Sequence, residues 1–231
     1  TLGALPERVV VTGNLKAELR LSEAGIEARW NQLLGLTSEE PIWIAGSTHA
    51  GEEEIILDVL VRLRARHPRL VLVLAPRHIE RTAEVERLIQ ARGLCSTRRT
   101  ALPARDPVDV IVLDTIGELA QLYEVACMAF VGGSLVPWGG QNMLEPALHR
   151  KPVLFGPHTS NFRESASLLL GSGGGLLVED GVGLESAAHR LLADPHLARR
   201  MGEAAFAAVA SRQGAVRETV ELLKKTVGSR S

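Results

Sequence analysis

The sequence predicts an α/β protein built on a doubly wound parallel sheet, and three observations lead there. Short apolar, β-rich runs alternate with longer stretches of helical periodicity; the run at 127–131 can be buried on both faces; and runs along the chain are followed by small, turn-forming, hydrogen-bonding residues. The runs lie at 9–12, 42–45, 70–75, 108–113, 127–131, 152–155 and 175–178. Between them, 52–66 places Ile55, Ile56, Val59, Leu60 and Leu63 on one helical face. Further helices are expected over 80–92, 118–126, 142–149 and 162–170, covering both sides of the sheet. Residues 19–41 read as a helix and a connection, with Trp30 and Leu34 as packing residues, and 171–175 as a turn entering an edge strand. Residues 182–231 carry helix patterns broken at Asp194-Pro195 and near Gly214, so they form the helical C-terminal part of one domain spanning 1–231.

Composition narrows the function classes. A chain of 231 residues with 45% hydrophobic content can bury a substantial core. Twenty-six Lys and Arg against 27 Asp and Glu leave a net charge of -1, which argues against a nucleic-acid partner. Cys95 and Cys127 have neither metal-ligand spacing nor the density of a disulfide scaffold. No run approaches the roughly 20 apolar residues of a membrane span, so a soluble chain is expected. Starting at Thr1-Leu2-Gly3 without Met, it reads as a fragment of a longer protein.

In an open parallel sheet, ligands bind beyond the carboxyl ends of the strands. The residues there are Gly46-Ser47-Thr48-His49, Pro76-Arg77-His78, Asp114-Thr115-Ile116-Gly117-Glu118, Gly132-Gly133-Ser134 and Gly156-Pro157-His158. The segment Gly132-Gly133-Ser134-Leu135-Val136-Pro137-Trp138-Gly139-Gly140-Gln141-Asn142-Met143-Leu144-Glu145-Pro146 turns from an apolar strand into a glycine-rich loop and opens a helix. Its glycines let backbone approach a ligand, and Asn142 and Glu145, three apart, suit the two hydroxyls of a ribose. Ser47 and Thr48, before the Glu52-Glu53-Glu54 helix start, either cap that helix or cradle a phosphate, while the three glutamates read as a solvated first turn. Arg77 is placed to face an anion, the alternative being a surface pair with Glu80 or Glu84. The turn at 115–118 can frame a heterocyclic base, with Ile116 against its face, and can equally be a capping box of Thr115 and Glu118; the two are compatible. His49, His78 and His158 lie on the same rim without metal-ligand spacing, and nothing in the chain names a reaction.

These segments resemble one family in order. Val11-Thr12-Gly13-Asn14-Leu15-Lys16, Ala45-Gly46-Ser47-Thr48-His49-Ala50-Gly51-Glu52-Glu53, Ala75-Pro76-Arg77-His78-Ile79-Glu80-Arg81, Asp114-Thr115-Ile116-Gly117-Glu118-Leu119 and the 132–147 loop resemble 3-deoxy-D-manno-octulosonic acid (Kdo) transferase, the lipid A glycosyltransferase of Gram-negative bacteria. The resemblance implies the Rossmann-like C-terminal, nucleotide-binding half of a GT-B enzyme that moves Kdo from CMP-Kdo to the lipid A precursor lipid IVA, with inversion. It puts the CMP contacts on Pro76 and Arg77, on Ile116, Gly117 and Glu118, and on Asn142, Met143, Leu144 and Glu145, with Ser47, His78 and Gly140 as further candidates. No metal or other cofactor is implied. The catalytic base, the acceptor site and the membrane anchor belong to the N-terminal half, at the cytoplasmic face of the inner membrane. This chain alone is therefore expected to bind nucleotide without turnover. A UDP-sugar transferase or epimerase of the same fold, and a stand-alone nucleotide-binding module, are the alternatives.

Overall fold

In the computed structural model, the described residues are 25–35, 40–104 and 107–212. The expected strand at 9–12, the block at 11–16 and the helix break near Gly214 lie outside them. In chain order the elements are α1 (Ile26–Leu34), β1 (Ile42–Thr48), α2 (Glu52–Arg64), β2 (Val71–Pro76), α3 (Thr82–Gln90), β3 (Ser96–Arg98), β4 (Val110–Val112), α4 (Leu119–Leu122), β5 (Met128–Val131), α5 (Leu144–Leu148), β6 (Val153–Phe155), α6 (Arg163–Ser172), β7 (Gly175–Leu177), α7 (Gly181–Ala193) and α8 (Pro195–Ala210).

The seven strands form one parallel sheet in the order β3-β4-β2-β1-β5-β6-β7. From β1 the chain winds outward through β2 to the β3 edge, then returns to start again at β5 on the other side. The direction of winding reverses between β1 and β5, where Trp43 pairs with Met128 and Gly46 with Val131. Such a reversal leaves a crevice beyond the strand ends, because the loops on its two sides lead to helices on opposite faces.

Residue alternation along the strands decides which face each helix covers. Trp43, Ala45, Leu72, Leu74, Val110, Val112, Met128 and Phe130 face α2, α3 and α7. Ile42, Ile44, Val71, Val73, Ile111 and Ala129 face α1 and the residues around α4, with Trp30, Leu34, Leu122 and Tyr123 buried among them. Val131, Val153 and Phe155 continue that second face under α5, α6 and α8. The break at Asp194-Pro195 is real: Asp194 caps α8 by accepting from the Leu197 N–H, and Pro195 opens the helix, where a missing N–H costs nothing.

Three features depart from the sequence expectation. Strand β3 was not anticipated; Ser-Thr-Arg carries no apolar signal, and its ladder exists only because β4 offers an open edge to a short, charged strand. The helix expected over 118–126 shortens to α4 and a following 3-10 turn at Tyr123–Val125. Finally, β1 breaks register between Gly46 and Thr48, with Ser47 in the left-handed region at φ 55.

Candidate functional site

Because every strand is parallel, the turns after β4, β2, β1, β5 and β6 stand side by side along one edge of the sheet. Pro76 ends β2, with Arg77 and His78 just beyond it; Ser47 is the last residue but one of β1; Ile116, Gly117 and Glu118 follow β4; Gly140, Asn142, Met143, Leu144 and Glu145 follow β5. The sequence-predicted site residues therefore share one rim, although not all present their side chains there.

The crevice is held by a carboxylate. Glu52 is fully buried, and its two oxygens accept four backbone N–H bonds: Oε2 from His49 (3.0 Å) and Gly133 (2.7 Å), Oε1 from Ser134 (2.9 Å) and Leu135 (2.9 Å). The turn after β5 is thereby pinned to the start of α2 across the β1/β5 boundary. Approach is close: a Cβ at Gly132 would come 2.4 Å from the Ser47 carbonyl oxygen, so only glycine fits. Ser134, also buried, accepts from the Gly156 N–H (2.9 Å) and extends the brace to the turn after β6.

Glu53 is equally buried, accepting from Thr48 Oγ1 (3.0 Å) and from the Arg81 guanidinium at 2.8 and 3.3 Å. Burial pushes its carboxyl pKa up, against the opposing pull of Arg81. The expectation of a solvated glutamate run is thus corrected for Glu52 and Glu53, whose charges are matched by donors inside the fold. Neither Ser47 nor Thr48 caps α2. Its cap is Gly51, the Thr48 hydroxyl serves Glu53, and the His49 and Gly51 N–H groups are taken by Glu52 and Glu54. With those amides occupied, a phosphate cradle at this helix start loses its principal donors.

Arg77 is exposed, and its backbone N–H is tied to the Thr48 carbonyl at 2.9 Å. The alternative pairing with Glu84 is not made, since Glu84 belongs to Arg81 at 2.8 Å. Among the described residues no ion pair involves Arg77. After β4, Glu118 accepts from Arg99 at 2.7 Å and from the Thr115 hydroxyl, and Gly117 turns the chain at φ 88. The expected capping box is replaced: α4 begins one residue after Glu118, whose carboxylate holds the turn in place of a backbone amide. Ile116 stands 83% exposed at the tip, an apolar side chain with nothing to cover it among the described residues.

Asn142 and Glu145 meet as expected. Asn142 Nδ2 donates to Glu145 Oε1 at 3.0 Å while its Oδ1 accepts from the Leu144 N–H at 3.1 Å. Met143 and Leu144 turn their side chains into the core, leaving only backbone for a ligand. Gly140 N–H donates to the Gly133 carbonyl at 2.7 Å and closes the loop. Desolvation by burial pushes the Glu145 carboxyl pKa up, with Asn142 and then His149 opposing.

That shift has a consequence for stability. A carboxyl whose folded pKa exceeds its unfolded value binds its proton more tightly when folded, so its contribution to stability rises as pH falls from the folded toward the unfolded pKa, and its ionised form costs most at neutral pH. Glu145→Gln keeps an acceptor for Asn142 and removes the buried charge. It is expected to stabilise the free chain near neutral pH and to lose that advantage in acid, which urea unfolding at two pH values checks.

His49, Trp138 and Gln141 also line the crevice. The His49 ring, 6% exposed, stacks on Trp138 at 4.9 Å, and the Gln141 amide lies 3.2 Å from its Nε2. The sequence places His49 only on the rim; the signal for more is a histidine between a strand end and a helix start, with a tryptophan in a facing loop. Among the described residues no group of three His, Cys, Asp or Glu side chains is placed to hold a metal ion, and no helix is long and apolar enough to cross a membrane.

No protein-family model matches the chain. Individual relatives do. It is 38% identical over 233 residues to a 3-deoxy-D-manno-octulosonic acid transferase of Haemophilus influenzae, covering 97% of this chain and 53% of that protein. It is 36% identical to one of Bordetella pertussis, covering 94% and 52%. The chain thus spans about half the length of the curated relatives it matches. Among solved structures, the C-terminal CMP-Kdo binding domain of WaaA from Acinetobacter baumannii superposes with a TM-score of 0.74 at 29% identity, over 81% of this chain and 99% of that one. A Staphylococcus aureus MnaA-UDP structure superposes at 0.63 with 19% identity over 98% of this chain and 56% of that one, which bears on the fold alone.

The seven-stranded parallel sheet with helices on both faces matches the C-terminal domains of GT-B glycosyltransferases. The chain belongs to the 3-deoxy-D-manno-octulosonic acid transferase family.

Proposed function

We propose that this chain is the donor-binding half of an inverting glycosyltransferase and grips the cytidine monophosphate part of CMP-Kdo. The observation that carries the reading is the gathering of Arg77, the 116–118 turn and the Asn142–Glu145 pair along one rim at the β1/β5 reversal. Glu145, steadied by Asn142, takes the ribose hydroxyls, for which a buried carboxylate is a strong acceptor. Arg77 takes the phosphate with its fork of donors. The backbone of Ile116, Gly117 and Glu118 reads the cytosine edge, with Ile116 against its face, while Glu118 is occupied in holding that turn. Met143, Leu144 and Gly140 supply backbone and shape, and Pro76 sets the strand end from which Arg77 projects.

In the full-length protein the acceptor is the lipid A precursor lipid IVA, at the cytoplasmic face of the inner membrane, and the base at the acceptor hydroxyl comes from the other half. Transfer needs that base together with stabilisation of the departing phosphate, and closure of the halves brings the two together. The chain supplies the second requirement through Arg77 and needs no metal for the single phosphate of CMP. The test is calorimetric titration of the chain with CMP, UMP and AMP. A clear preference for CMP is expected; equal affinities sink the cytidine reading, and tighter binding of UMP selects a UDP-sugar enzyme of the same fold.

A further inference from the structure

Arg77 stands at the crevice with no carboxylate partner among the described residues, whereas Arg81 is matched by Glu53 and Glu84. From the end of β2, Arg77 and His78 face His49, with the His78 ring edge-on at 6.0 Å, and Arg81 follows in the next turn. From α2, Glu52 approaches His49 only to take its backbone N–H and is committed to three further amides, while Glu53 is shared between Thr48 and Arg81. From the loop after β5 come Trp138 and Gln141, both uncharged. No carboxylate contacts the His49 ring among the described residues. The Gln141 amide nitrogen, a donor, lies 3.2 Å from His49 Nε2, so Nε2 accepts and the neutral ring carries its proton on Nδ1. Burial first, then His78, Arg77 and Arg81, hold the imidazole below its ordinary pKa, so it is neutral at pH 7.

A buried imidazole beside an unpaired arginine, with no carboxylate on its ring, suits an anion. We propose that His49 is a further binding residue for the donor's phosphate, and that it takes up a proton when the anion settles between Arg77 and the glycine-rich loop. This rests on the reading of the ligand as a nucleoside monophosphate. A negative charge within a few ångströms offsets the cationic field and favours the imidazolium. Once protonated at both nitrogens, His49 donates through Nε2, and Gln141 turns its amide oxygen toward it. Gln141 lies next to Asn142, so the charge state of His49 reaches the loop that carries Glu145.

The experiment is isothermal titration in buffers of differing ionisation enthalpy, with cytidine 5′-O-methylphosphate as ligand. Its phosphodiester, like that of a nucleotide-activated sugar, does not titrate between about pH 5.5 and 8, so any proton taken up there enters the protein. The wild-type chain is expected to take up as much as about one proton per ligand, with affinity falling by up to about tenfold per pH unit as pH rises. His49→Gln abolishes the uptake and flattens the pH profile, whereas His196→Gln, at an exposed position of α8, retains both. Uptake that persists in His49→Gln, or is absent from the wild type, overturns the proposal. If His49→Gln does not fold, the His49 Cε1–H resonance of the wild-type chain, titrated free and bound, decides instead: an upward pKa shift on binding supports the proposal and an unchanged value overturns it. Binding without proton uptake leaves the donor reading standing. Failure of this ligand and of CMP to bind at any pH removes both.

Discussion

Glu52→Gln is expected to lower the folding stability of the chain by about 3 kcal/mol, more than a typical single substitution. The carboxylate is 0% exposed and accepts two N–H bonds on each oxygen, from His49, Gly133, Ser134 and Leu135. Glutamine preserves the size but keeps one acceptor oxygen, and its amide hydrogens confront two of the backbone donors. Two unpaired amides in a buried turn cost about 1 to 3 kcal/mol each, which sets the magnitude. Chemical unfolding measures it: a lower midpoint with unchanged slope is the expected result, and a loss below about 1 kcal/mol contradicts the assignment of Glu52 as the brace of the crevice. Because the same amides hold the turn that leads to Asn142 and Glu145, nucleotide affinity should fall along with stability.

Arg77→Ala separates binding from folding. The side chain is exposed and makes no ion pair among the described residues, so its loss should leave unfolding essentially unchanged. If it holds the phosphate, CMP affinity falls by about 3 kcal/mol, or roughly a hundredfold, the scale for truncating one member of a charged hydrogen-bonded pair. Cytidine, which lacks the phosphate, should bind the variant as it binds the wild type. Comparing CMP with cytidine on both proteins therefore isolates the contact. A parallel loss for cytidine would mean that Arg77 shapes the site instead of touching the anion, and no loss for CMP would remove it from the site.

How much of this was legible in the sequence differs by element. The buried strands and the α2 stripe were readable because burial on both faces, or on one helical face, demands apolar residues at fixed periods. Strand β3 was not, since an edge strand needs only backbone to pair, and Ser96, Thr97 and Arg98 show no such demand. The rim was legible for the same topological reason that makes it a rim: parallel strands send their following turns to one edge. What escaped was the direction of the polar side chains. Glu52, Glu53 and Glu54 look alike in the chain, yet two are buried and one caps the helix start through Gly51. Only the neighbouring β5 turn and Arg81, distant in sequence, distinguish them. Thr115 and Glu118 fit a capping box by spacing, but Arg99 draws Glu118 away. The Asn142–Glu145 pair succeeded because its geometry is local, three residues apart at the opening of α5.

The most direct test of the central claim is a crystal structure of the chain with CMP. The account predicts one nucleotide in the β1/β5 crevice, with its phosphate on Arg77, its base against the 116–118 turn and its ribose hydroxyls on Glu145. CMP bound elsewhere, or in that crevice without contact to Arg77 and Glu145, would contradict it.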